Sequence, residues 1–169
     1  MTDATDRATD QAAAPSTAQP GSAPSDSARR CWMAVLARAG AAEMATLLAG
    51  SDPPAYTVLR GPESGLVMVR GRAGGGGSAF NLGEMTVTRC SVRSAVGLVG
   101  HAYVAGRDGR RAELAALIDA MMQDPARAME LQARIIAPLE ARQAGRRAER
   151  AAKAKATTVN FFAMQNMRS

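Results

Sequence analysis

Hydrophobic positions along the chain follow two different periods. Trp32, Val35, Leu36 and Ala39 recur at helical spacing, so 28–38 reads as a short amphipathic helix. Gly40 interrupts it, and Ala41 to Ala49 resumes with Met44, Leu47 and Leu48 on one face. The run Gly50-Ser51-Asp52-Pro53-Pro54 then ends helix firmly. The period next drops to two. Tyr56 to Arg60 is β-favourable and Gly61-Pro62 closes it; Leu66 to Arg72 alternates. Gly74 to Gly77 reads as a flexible loop, Ala79 to Leu82 as a short strand and Gly83-Glu84 as a turn. Met85 to Arg93 alternates again, and Leu98 to Ala105 is the last strand. Short strands with short connections predict an antiparallel meander of about four to five strands.

The rest is predicted helical. Asp108 is placed to cap a helix whose Leu114, Leu117, Ile118 and Met121 sit at i, i+3, i+4 and i+7. Asp124-Pro125 is a cap followed by proline at the first helical position. Met129, Leu131, Ile135 and Ile136 carry this second helix to Pro138, which must kink or restart it because proline has no amide donor. Residues 139–155 hold almost no apolar stripe, as in a helix that is solvated or laid against another chain. The fold class expected is α+β: short N-terminal helices, an antiparallel sheet and a helical C-terminal half. It forms one domain over 28–169, with a C-terminal helical arm from about 139. Residues 1–27, rich in Ala, Thr, Ser, Asp and Pro, are expected to be a disordered extension.

Composition narrows the partners. The apolar fraction is 47%, but much of it is Ala, and aromatic residues make up only 4%, so the core is thin. Ten methionines suit adaptable contact surfaces. A chain of this kind finishes its burial against partners. The head carries Asp3, Asp6 and Asp10 where a secretory signal needs basic and apolar residues, and no run approaches a membrane span. A cytoplasmic protein without a membrane partner is expected. Cys31 and Cys90 make neither a disulfide framework nor a metal knuckle and are expected to be packed thiols.

The net charge of +6 directs attention to anions or acidic partners. Arg70 and Arg72, and Arg89 and Arg93, form two pairs at even spacing on predicted strands, each pair on one face. Guanidiniums so placed can clamp a phosphate or carboxylate, or meet a partner's acids. Arg107 at a strand-to-helix junction is a further candidate contact. His101 is the sole histidine and lies mid-strand without a nucleophile motif, which favours a hydrogen-bonded or interface role over a triad. The Gly74–Gly77 run lacks the Lys-Ser/Thr and the following helix of a phosphate loop. The basic C-terminal helix lacks the stacking aromatics of a nucleic-acid site, so nucleic acid is not an expected partner. Phe161, Phe162 and Met164 form an apolar anchor that packs either on this chain's core or in a partner. No catalytic residue, cofactor site or metal site is expected. The alternative is a stand-alone anion- or nucleic-acid-binding module.

Five segments together carry a resemblance. They are Arg30 to Ala37, Gly65 to Arg72, Gly83 to Arg89, Gly106-Arg107-Asp108 with Ala116 to Ala120, and Val159 to Met164. In this order and spacing the chain resembles the G subunits of the bacterial carbon–phosphorus lyase core complex, the PhnG family, over about residues 29–166. It departs from the family pattern at Asn160, where Asp is common, and in its N-terminal extension. The resemblance implies a cytoplasmic complex with H, I and J subunits and an ATP-binding-cassette protein. It further implies that the complex transfers the ribose triphosphate of MgATP to a phosphonate and displaces adenine. Nucleosidase chemistry in that family belongs to the I subunit, and the G subunit is required without being the catalyst.

Overall fold

A computed structural model describes residues 24–72 and 77–158. The expectations for 1–23, for Gly74 to Gly76 and for the Phe161, Phe162 and Met164 anchor fall outside these residues. The order of elements is α1 (Asp26–Leu36), α2 (Ala41–Leu48), β1 (Tyr56–Gly71), β2 (Phe80–Ser94), β3 (Val99–Ala105), α3 (Gly109–Met122), α4 (Pro125–Leu131) and α5 (Ala137–Ala156). The class is α+β, with a helical C-terminal half as expected.

The strand count is corrected to three, in the antiparallel order β1-β2-β3. Tyr56 to Arg60 and Leu66 to Arg72 belong to one strand, because Gly61-Pro62 does not end it. The register advances from Arg60↔Ser91 to Glu63↔Arg89, which leaves one extra residue on β1 as a bulge. β1 is an edge strand, so Pro62, with no N–H to give, costs no ladder bond on its open side. Ala79 to Leu82 and Met85 to Arg93 likewise merge into β2. Gly83, expected in a turn, is a strand residue at φ +155°, beside a further irregularity between Val69 and Arg70. Glycine alone adopts that φ without strain.

The helical boundaries follow local chemistry. Ser25 caps α1 by accepting from Ala28 N, Asp108 caps α3 through Arg111 N at 2.9 Å, and Asp124 caps α4 through Ala126 N at 3.0 Å. Pro138 does force a restart. A π-turn at Gln132–Ile136, closed by Ala137 N donating to Gln132 O, absorbs the missing donor before α5 begins.

The core lies between one face of the sheet and the helices. α3 is its axis, buried continuously from Leu114 to Met122 and not only along one stripe. It packs beneath Cys90, Val92, Ala102 and Val104. Trp32, Val35 and Leu36 of α1, Met44 and Leu48 of α2, and Leu131, Ile135, Ile136 and Leu139 close the other side. α5 leaves this core after Gln143 and is exposed from there on.

Candidate functional site

Among the described residues no helix lies on the second face of the sheet. Along β2, Thr88, Cys90, Val92 and Ser94 point to the core, so Arg89, Ser91 and Arg93 share the outward face. Register places Arg89 across from Tyr103, Ser91 across from His101 and Arg93 across from Val99. On the other side Glu63 lies opposite Arg89. Arg89 donates through Nε and Nη2 to Glu63 Oε2 at 3.1 and 3.0 Å, and Arg60 Nε reaches Glu63 Oε1 at 3.3 Å. Ser91 Oγ and His101 Nδ1 are 2.9 Å apart. Gly65 and Val87 continue this face and, with Arg89 and Tyr103, border a hollow of about 160 Å³.

Beyond Val87 the sheet loses its third strand, because β3 ends at Ala105 opposite that residue. The helical layer ends there too: Gly109, at the start of α3, lies under Pro62. Six cross-strand pairs, from Leu66↔Thr86 to Gly71↔Phe80, therefore project as a bare two-stranded ribbon. Apolar side chains occupy both faces. Leu66 (62% exposed) and Met68 lie on one, Met85 with half-buried Val67 and Val69 on the other, and Leu82 (58% exposed) and Phe80 near the end. A two-stranded ribbon is marginal by itself, and apolar groups exposed on both faces are characteristic of a surface that another chain covers.

The structure divides the candidate arginines. Arg70, opposite Asn81, and Arg72 lie at the ribbon's far end. The eight positions from Asn81 to Arg89 put about 26 Å, at ~3.3 Å per residue, between the two pairs, so they form two patches. Arg70 donates to Ala79 O at 3.4 Å, and Arg107 is exposed in the β3–α3 loop. His101 is exposed and hydrogen-bonded to Ser91.

One polar cluster escaped sequence reasoning. Asp119, fully buried in α3, accepts from Arg29 Nε at 3.2 Å and Nη2 at 2.7 Å, from Trp32 Nε1 at 2.8 Å and from His101 N at 2.9 Å. It ties α1 and β3 to the central helix. A lone carboxylate inside the apolar run Leu114 to Met122 was the available signal, because a buried charge requires partners. All its acceptor capacity is used internally, so the cluster is structural. Tyr56 donates to Glu113 at 2.6 Å, and this bond, with burial, raises the phenol above its usual range. Burial likewise raises the Cys90 thiol, whereas Cys31, expected to be packed, is exposed. Among the described residues no group of acidic, His or Cys side chains could hold a metal ion, and no single helix is long and apolar enough to cross a membrane.

Comparison with known sequences agrees with these features. The pattern of one family, described as phosphonate metabolism protein PhnG, matches residues 27–167. A protein of Rhizobium meliloti (strain 1021), the alpha-D-ribose 1-methylphosphonate 5-triphosphate synthase subunit PhnG, is 46% identical over 140 residues, covering 80% of this chain and 87% of that protein.

Proposed function

The chain belongs to the PhnG family of phosphonate-metabolism proteins, and from that premise we propose that it is the G subunit of a ribose 1-methylphosphonate 5-triphosphate synthase. In this reading the assembly moves the ribose triphosphate of MgATP onto a phosphonate. A phosphonate oxygen bonds to ribose C1′ while the bond from C1′ to the adenine nitrogen breaks. Adenine leaves with that electron pair and takes up a proton. MgATP is a substrate of the complex, and this chain holds no cofactor. Its partners are the H, I and J subunits, with I the most direct, and an ATP-binding-cassette protein, all in the cytoplasm. Nucleosidase chemistry resides in I, and the G chain builds the assembly around it.

The observation that carries the subunit reading is the ribbon Leu66–Gly71 and Phe80–Thr86, with apolar side chains open on both faces. The partner it fits has an apolar cleft with an acidic rim, because Arg70 and Arg72 stand at the ribbon's end and the chain carries a net +6. A second copy of so basic a chain would meet it with like charge. The test is co-expression of the tagged chain with its genomic neighbours and mass determination of the intact eluate. A stoichiometric hetero-complex is expected, lost on combined Leu66→Ser, Met68→Ser and Leu82→Ser substitution and weakened by truncation of 157–169. Recovery of the wild-type chain alone as a soluble monomer would overturn the reading.

A further inference from the structure

The outward sheet face carries more than an interface needs. Arg89, Ser91 and Arg93 stand in a row on β2, and His101 and Tyr103 stand beside them on β3. Directly opposed residues on one face have Cβ atoms about 5 Å apart, so the five side chains converge on one strip of surface. Two of the five keep their donors free. Arg93 has no acidic partner among the described residues, and the Tyr103 hydroxyl has no hydrogen-bond partner among them. Glu63 is the carboxylate nearest in register, and it is held between Arg60 and Arg89, which leaves that trio with one net positive charge. The Ser91–His101 pair also presents a donor whichever way its bond runs. If Ser91 donates to Nδ1, the imidazole proton sits on outward-facing Nε2; if Nδ1–H donates, the serine hydroxyl proton is free.

We propose that this strip is an oxyanion site for a phosphate- or phosphonate-bearing small molecule. Arg93 supplies charge and a bidentate fork, the Ser91–His101 pair and Tyr103 supply neutral donors, and Arg89 closes the far side. The hollow between Gly65, Val87, Arg89 and Tyr103 lies at one end of the strip. Gly65 opens it, because a Cβ there would meet nothing within 4 Å. The rest of the ligand, an organic group of ring size, sits in that hollow with its anionic end on Ser91 and Arg93. Tetrahedral oxyanions match this donor set because three or more oxygens accept at once from a planar guanidinium and from hydroxyls on either side. The oxyanion site stands on these five residues, and the choice of a phosphonate among its ligands rests on the proposed function.

His101 is the only histidine, so it serves as a single-site reporter. The full-length chain, labelled with ¹⁵N-histidine and either isolated or bound among unlabelled partners, is titrated at constant ionic strength. The probes are inorganic phosphate, sodium triphosphate and methylphosphonate, with chloride as control. A saturable shift of the imidazole signals with at least one of the three probes, and none with chloride, is expected. The probe that saturates at the lowest concentration distinguishes a phosphate source from a phosphonate source. Arg93→Ala should weaken that probe by about tenfold or more, the worth of one charge-assisted contact. Arg150→Ala, on the exposed C-terminal half of α5, should leave the affinity unchanged. A linear response to every anion, no response, or equal affinity in the Arg93→Ala protein overturns the site. A shift produced by an unlabelled partner subunit but by no probe overturns it too, since the strip is then only an interface.

Discussion

Replacing Asp119 with alanine removes an acceptor used by four hydrogen bonds at once. The buried Trp32 indole N–H and the part-buried His101 amide are left without a partner, and a fully buried group so left costs roughly 1–3 kcal/mol. The Arg29 guanidinium, whose side chain is only 28% exposed, loses its counter-charge. It has a partial substitute in Val99 O at 3.3 Å and some access to water. Breaking one side of a buried ion pair costs about 3–5 kcal/mol, and the separate terms overlap because the groups relax together. A loss of about 4 kcal/mol is therefore expected, a large part of the roughly 5–15 kcal/mol of a whole domain. Asp119→Asn keeps the shape and one oxygen but turns an amine toward at least one donor, so about half that loss is expected. Trp32 is the sole tryptophan and lies in the cluster, which makes its fluorescence during urea unfolding the natural assay. The melting temperature should fall by roughly 10 °C at the usual 2–4 °C per kcal/mol for a chain of this size. A variant within about 1 kcal/mol of the parent would refute the view that Asp119 holds α1 and β3 to α3.

Gly100→Ala should be nearly as harmful, because a Cβ there runs into the Ala116 carbonyl oxygen and the Ala120 amide, both backbone atoms of α3. The expected loss is about 3 kcal/mol, read from the same unfolding curves. Thiol titration of the native chain should show one fast and one slow cysteine: Cys31 is exposed, whereas Cys90 is buried and its thiol is raised by that burial, and Cys31→Ser should abolish the fast phase. Glu43 is held below its usual value of 4.5, first by the hydrogen bond from Arg146 at 3.0 Å. A depressed carboxylate stabilises the fold above its unfolded value and loses that contribution as the pH falls through the folded one. Arg146→Ala should therefore cost up to about 1 kcal/mol at neutral pH and progressively less as the pH falls below 4.5, and an effect that does not change with pH would exclude the pair as its cause.

Much of the local structure was legible in the residues themselves. Caps at Asp108 and Asp124, the breaker at Gly50 to Pro54, the restart at Pro138 and the two hydrophobic periods depend on neighbours within a turn or two of chain. The same locality explains the miscounted strands. Gly61-Pro62 and Gly83 carry the chemistry of turns, but on a strand with an open edge one missing donor is harmless, and a bulge or a positive φ lets the ladder continue past it. Whether a strand ends at a proline depends on what lies across from it, which is not a local property.

The polar residues divide along the same line. Alternation on β2 was enough to place Arg89 and Arg93 on one face and Cys90 and Val92 on the other. Alternation put Ser91 on that face too, but the register of three strands was needed to bring His101 and Tyr103 beside it and to set Arg70 and Arg72 apart. The thin, Ala- and Met-rich core and the charge of +6 announced a chain that completes itself against others. Only the tertiary structure shows where apolar surface stays open: the third strand and the helical layer both stop near Val87, and the ribbon beyond them keeps apolar side chains exposed. Sequence alone determines periodicity and caps, because those energies are settled within a few residues. Burial, ion pairing and exposed faces are settled between residues up to 108 positions apart, as with Val35 and Gln143, and only the folded chain brings such residues together.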